Sequence, residues 1–79
     1  MNEFIETNYR EVIEKSANPT RATISAYQSY LDSTDYVVIK MSESMAKGVS
    51  TEELVTKYQD VLNDRDEARR IINELESTL

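Results

Sequence analysis

The chain contains no cysteine, histidine or tryptophan, one glycine and one proline. Without Cys there is neither a disulfide nor a thiolate metal site, and without His the usual neutral-pH acid/base and the commonest metal ligand are missing. Apolar runs are short as well. None approaches the ~20 residues that span a bilayer. The start, Met1-Asn2-Glu3-Phe4-Ile5-Glu6, lacks the basic-then-apolar order of a signal peptide, so a soluble protein made in a cytoplasm is expected.

What remains is small, charged and acidic. Seventy-nine residues carry fifteen carboxylates and nine cations, a formal charge of −6. That balance disfavours direct nucleic-acid binding, which rests on clustered Lys and Arg. A chain of this length buries only about 60% of its unfolded surface. Extra stability has to come from helix packing or self-association.

The single Pro and single Gly both stand where a helix boundary is expected. Asn18-Pro19 offers an N-cap with proline at the first helical position, where the missing N–H costs nothing. Gly48 supplies a left-handed helix end, and Val49-Ser50-Thr51-Glu52-Glu53-Leu54 restarts a helix. Ser50 and Glu53 are spaced for a capping box, and Val49 for a staple onto Leu54.

Between these junctions Ile24, Tyr27, Leu31, Thr34, Val38, Met41 and Met45 keep a three-four spacing. After Ser50 the spacing returns in Leu54, Tyr58, Val61, Arg65, Ala68, Ile72, Leu75 and Leu79. Each run is a heptad seam. Folding the chain back at Gly48 makes facing residue numbers sum to about ninety-nine in an antiparallel heptad register. Ile24 then meets Leu75, Tyr27 meets Ile72, Leu31 meets Ala68, Val38 meets Val61 and Met41 meets Tyr58. The polar residues pair too, Thr34 with Arg65, which is expected to lay its stem on the seam and send its guanidinium to Asp35 or Asp32.

The expected fold is all-α, an antiparallel hairpin of helices at about 19–47 and 51–78 within a single domain, 1–79. In the N-terminal segment, 1–18, Phe4, Ile5, Tyr9, Val12 and Ile13 share a helical face, with Glu11 and Lys15 as a supporting pair. A short helix there could cover Tyr30, Val37, Val55, Leu62 and Ile71, making a three-helix bundle. Otherwise those positions meet a second copy, giving an oligomer of hairpins.

Chemistry is sparse. No glycine-rich phosphate loop or Ser-centred elbow is present, and no acid/base pair stands out among the Asp, Glu, Lys and Tyr residues. Asn63, Asp64, Asp66 and Glu67 lack the central Gly of a calcium loop and read as a solvated helix surface, with Asp66–Arg70 and Glu53–Lys57 as i,i+4 pairs. No enzyme activity, cofactor or metal is expected. The better candidate is an interaction surface. Tyr36 and Ile39, flanked by Lys40 and Glu43, fall outward from the seam, and an aromatic anchor of this kind marks interfaces. The first helix, another subunit or a separate protein could cover it.

The run Tyr30-Leu31-Asp32-Ser33-Thr34-Asp35-Tyr36-Val37-Val38-Ile39-Lys40, followed by Glu43, resembles a segment of small proteins from tailed-phage structural operons: Leu, two residues, Thr-Asp-Tyr, two residues, Ile-Lys, then Glu. Tyr58, Leu62, Arg65, Arg69 and Ile71-Ile72-Asn73-Glu74-Leu75-Glu76 are similar to the ending of such segments. The resemblance spans roughly residues 28 to 76. It implies a helical-hairpin module beside tail, baseplate or fibre components, made in the host bacterial cytoplasm and able to join the virion, with a tail component or the chain itself as partner. No binding residue is carried over from it. The competing expectation is a small acidic phage-encoded inhibitor of a basic host enzyme or defence complex, whose binding would weaken with salt.

Overall fold

The computed structural model describes residues 2–79, so Met1, the first residue of the N-terminal segment, lies outside the described residues. The architecture is all-α with no strand among those residues: α1 (Glu3–Asn8), α2 (Arg10–Lys15), α3 (Pro19–Ala46) and α4 (Glu52–Glu76). The two long helices form the antiparallel hairpin, and α1 and α2 pack on α3. Among the described residues no helix is long and apolar enough to cross a membrane.

The expected single N-terminal helix is two short helices in tandem. Asn2 caps the first by accepting from the Ile5 amide at 3.0 Å. Tyr9 leaves helical geometry (φ −126°, ψ −8°), but its amide bonds Ile5 O and its carbonyl takes the Ile13 amide, both at 2.9 Å. The hydrogen-bond ladder therefore passes through a bend, not a loop. Asn18 caps α3 as expected, its Oδ1 accepting from the Arg21 amide at 3.1 Å, with Pro19 as first residue.

At the other end Gly48 adopts φ +73°. Its amide reaches Met45 O at 3.1 Å and the Val49 amide reaches Ser44 O at 2.9 Å, the pair of bonds that terminates a helix through a left-handed residue. The capping box expected next does not form. The α4 helix starts at Glu52 with Thr51 as N-cap and no side-chain cap bond, one residue too late for Ser50, which instead accepts from the Glu52 amide at 3.3 Å. Val49, expected to staple onto Leu54, stays exposed.

The core is concentrated at the end of the hairpin away from the turn. Ile5, Ile24, Ala26, Tyr27, Tyr30, Ala68 and Ile72 are buried together, with Phe4, Tyr9, Ile13, Leu31, Ile71 and Leu75 packed around them. All three expected layers of this half, Ile24/Leu75, Tyr27/Ile72 and Leu31/Ala68, belong to that cluster. The Phe4 ring lies 5.4 Å from Tyr30 and 5.8 Å from Tyr9, so α1 seals the Tyr30 side. Val12, placed on the same apolar face by its spacing, is exposed because the bend at Tyr9 turns α2.

The turn half departs from the expected seam. Val37 is fully enclosed while Val38 is 40% and Met45 70% exposed. The α4 helix carries a non-helical residue, Tyr58 (φ −108°, ψ 15°), near its start, so its first turns do not continue the straight seam. By the last turns of α3 the buried stripe has moved from Val38 and Met45 to Val37, with Met41 and Ser44 half-buried. The described residues accordingly form a plate of 48 × 25 × 14 Å, with α1 and α2 laid on α3 at the end away from the turn.

Candidate interaction surface

The polar layer joins the two halves. Arg65 is 5% exposed. Its Nη1 donates to Leu31 O and to Thr34 Oγ1, both at 2.7 Å, and its Nη2 to Asp35 Oδ1 at 2.9 Å. Thr34 Oγ1 in turn donates to Tyr30 O at 2.8 Å. The expected Thr34–Arg65 pairing is thus present, and of the two expected carboxylates Asp35 takes the guanidinium. No buried side-chain polar atom lacks a partner among the described residues.

The four residues expected at the surface divide into two pairs. Tyr36, half exposed, meets Tyr58 of α4 edge-to-face with centroids 6.2 Å apart and an 87° angle between rings. Lys40 Nζ stands 5.7 Å from the Tyr36 ring and 6.0 Å from the Tyr58 ring, and Lys57 Nζ 5.2 Å from Tyr58. Tyr36 and Lys40 therefore belong to a cation–aromatic cluster closing the turn half. Ile39 stays 57% exposed, and Glu43 has no ion-pair partner among the described residues.

Sequence reasoning missed Tyr58 and Lys57 in this cluster because it put Tyr58 in the seam opposite Met41. It also put Val38 and Met45 there, and both are exposed. The only sequence signal was the phenol itself, since a tyrosine prefers a position with one polar end at the surface.

The outer surface of α4 is laced with ion pairs. Arg70 is held between Glu67 and Glu74, and Asp66 pairs with Arg69 at 3.2 Å, not with Arg70 as expected. The expected Glu53–Lys57 pair is absent among the described residues. The hydrogen bond from Arg70 holds the Glu67 carboxyl below the usual carboxylate range, and Glu67 and Glu74 keep Arg70 charged. These are solvated pairs that orient side chains and add little stability.

The surface of the described residues also carries recesses, among them one of about 480 Å³ lined by Arg21, Ile24, Ser25, Gln28, Glu76 and Leu79. Another of about 710 Å³ lies beside the turn, lined by Val49, Ser50, Glu52, Glu53, Thr56 and Lys57. A smaller one of about 210 Å³ lies between Asn2, Tyr27, Asp64, Glu67 and Ile71. No group of three His, Cys, Asp or Glu residues that could hold a metal occurs among the described residues.

Comparison with known protein families, with curated proteins and with solved structures finds no match.

Proposed function

We propose that this chain is a non-enzymatic structural or assembly protein of a tailed phage or prophage, associated with the tail and acting through protein–protein contact. The observation that carries the contact half of this reading is the exposed apolar surface at the turn end, where Val38, Ile39, Met45 and Val49 are each 40–70% exposed. Exposed large apolar side chains gathered at one end of a small chain point to an interaction site. The tail half rests on the resemblance of residues 28–76 to hairpin modules of phage structural operons. Its place of synthesis is then the host cytoplasm, and its destination a particle or an assembly intermediate.

The test is quantitative mass spectrometry of purified particles and tail intermediates from cells producing the phage, with the natural chain and with Val38→Asp, Met45→Asp. Recovery of the natural chain in stoichiometric amount, with loss of the variant, supports the reading. Absence of the natural chain from both fractions refutes it.

A further inference from the structure

We infer that the outer face of the last three turns of α3 is a homodimer interface, on which a second copy of this chain docks antiparallel about a twofold axis near Met41 and Ser42. The inference rests on the reading of the chain as a contact protein and names the partner.

Within residues 36–49 the charged side chains are Lys40, Glu43 and Lys47. At ~100° per residue all three fall roughly 140° or more around the helix from Val38. Val38, Ile39, Ser42, Met45 and Ala46 fill the remaining arc, with half-buried Met41 at its inner edge, and the arc is therefore uncharged. Of the carboxylates bordering it, Asp35 at the lower edge is held by Arg65 at 2.9 Å, and Glu43 lies one turn beyond Ile39. The α4 helix does not cover this arc, because the buried stripe of α3 has moved to Val37. A half-seam with coiled-coil spacing is thus left facing outward.

Two properties make a second copy the occupant that fits. The first is charge. The whole chain carries −6, so two copies repel at most faces, whereas this segment contributes two cations against one anion and its contact arc contributes none. The second is self-complementarity. In an antiparallel twofold pairing, facing residue numbers sum to about 83 under the symmetry rule that each contact occurs twice. Val38 then meets Met45 of the second copy, and Met41 meets Ser42. A long side chain faces a short one across the axis, as interdigitation requires.

The exposures of Val38, Ile39, Met45 and Val49 (40%, 57%, 70% and 58%) correspond to an apolar patch on the order of 400 Å². Two such patches bury about 800 Å², below the roughly 1,200–2,000 Å² of stable complexes. The dimer is therefore weak and reversible.

Sedimentation equilibrium of the full chain from about 1 to 500 µM reads the association directly. The expected result is a monomer–dimer equilibrium that Met45→Glu weakens at least tenfold. Met45 is 70% exposed, so the variant keeps its fold, checked by circular dichroism. Because the chain has no native Cys, Ser42→Cys should form a disulfide dimer on oxidation, while Asn73→Cys, at the far end of the hairpin, should not. A concentration-independent monomer overturns the proposal, as does a dimer that tolerates Met45→Glu or cross-links better through Asn73→Cys. A monomer that is nevertheless found in particles refutes the dimer and leaves the tail reading standing; a dimer absent from particles and intermediates does the reverse.

Discussion

Replacing Asp35 by Asn should destabilise the protein more than replacing Arg65, the buried member of the same pair, by Met. The Arg65 side chain is 6% exposed and that of Asp35 55%. Asp35→Asn keeps shape and an acceptor but removes the only countercharge, leaving a desolvated guanidinium with the neutral acceptors Leu31 O and Thr34 Oγ1. A hydrogen bond to a charged partner is worth about 1 kcal/mol more than one to a neutral partner, and breaking a fully buried pair costs about 3–5 kcal/mol. Half-exposure of Asp35 scales this down to about 1.5–2 kcal/mol. Arg65→Met removes the charge and its desolvation together. Thr34 Oγ1 keeps its bond to Tyr30 O, Asp35 turns to water, and the thioether side chain fills much of the vacated seam. The expected loss is under about 1 kcal/mol. Urea unfolding followed by circular dichroism measures both, and the double variant should match Arg65→Met alone, not the sum. If Arg65→Met proves costlier than Asp35→Asn, the three hydrogen bonds outweigh the desolvation they offset, and the reasoning fails.

Gly48→Ala should cost about 1 kcal/mol, all of it backbone strain at φ +73° because nothing lies within 4 Å of the added Cβ; a calorimetric melting temperature shift checks it. Ile5→Ala removes a fully buried side chain and should cost about 2–4 kcal/mol. Hydrogen exchange should then show α1 and α2 losing protection before the hairpin does. Burial pushes the Tyr27 and Tyr30 phenols above their ordinary value of 10.0, with nearby carboxylates adding to the effect. Folding therefore favours the protonated form. That stability is complete below pH ~10 and is lost as pH rises through the raised folded pKa values, so urea midpoints should fall above pH ~10 and fall less in Tyr27→Phe, Tyr30→Phe. A midpoint independent of pH between 9 and 12 would contradict this.

The hairpin, its turn and the Thr34–Arg65 layer were legible because each is specified by local signals that agree: Asn18-Pro19, Gly48 and two heptads interrupted at the same level. The turn half was less legible. Tyr30, Val37 and Ser44 form a second seven-residue spacing beside the one through Leu31, Val38 and Met45, and the turn half encloses that one, so Val37 replaced Val38 as the enclosed residue. The kink at Tyr58 has no proline or glycine to announce it. In the candidate surface, Ile39 and Tyr36 are exposed as their spacing places them, and Tyr36 and Lys40 also meet Tyr58, a contact the spacing did not announce. Spacing reports which side of a helix a residue occupies. It does not report how far a tyrosine from the neighbouring helix reaches.

The concentration of the core at the end away from the turn also governs the order of folding. Contacts beside Gly48 close short loops but enclose little, whereas the layers from Leu31/Ala68 to Ile24/Leu75 enclose the most and join residues roughly forty to fifty positions apart in sequence. Loop-closure entropy must be met before those layers stabilise anything. The barrier to folding should therefore be set by the docking of the helix ends onto α1, with the Gly48 reversal contributing proximity but little of the driving force.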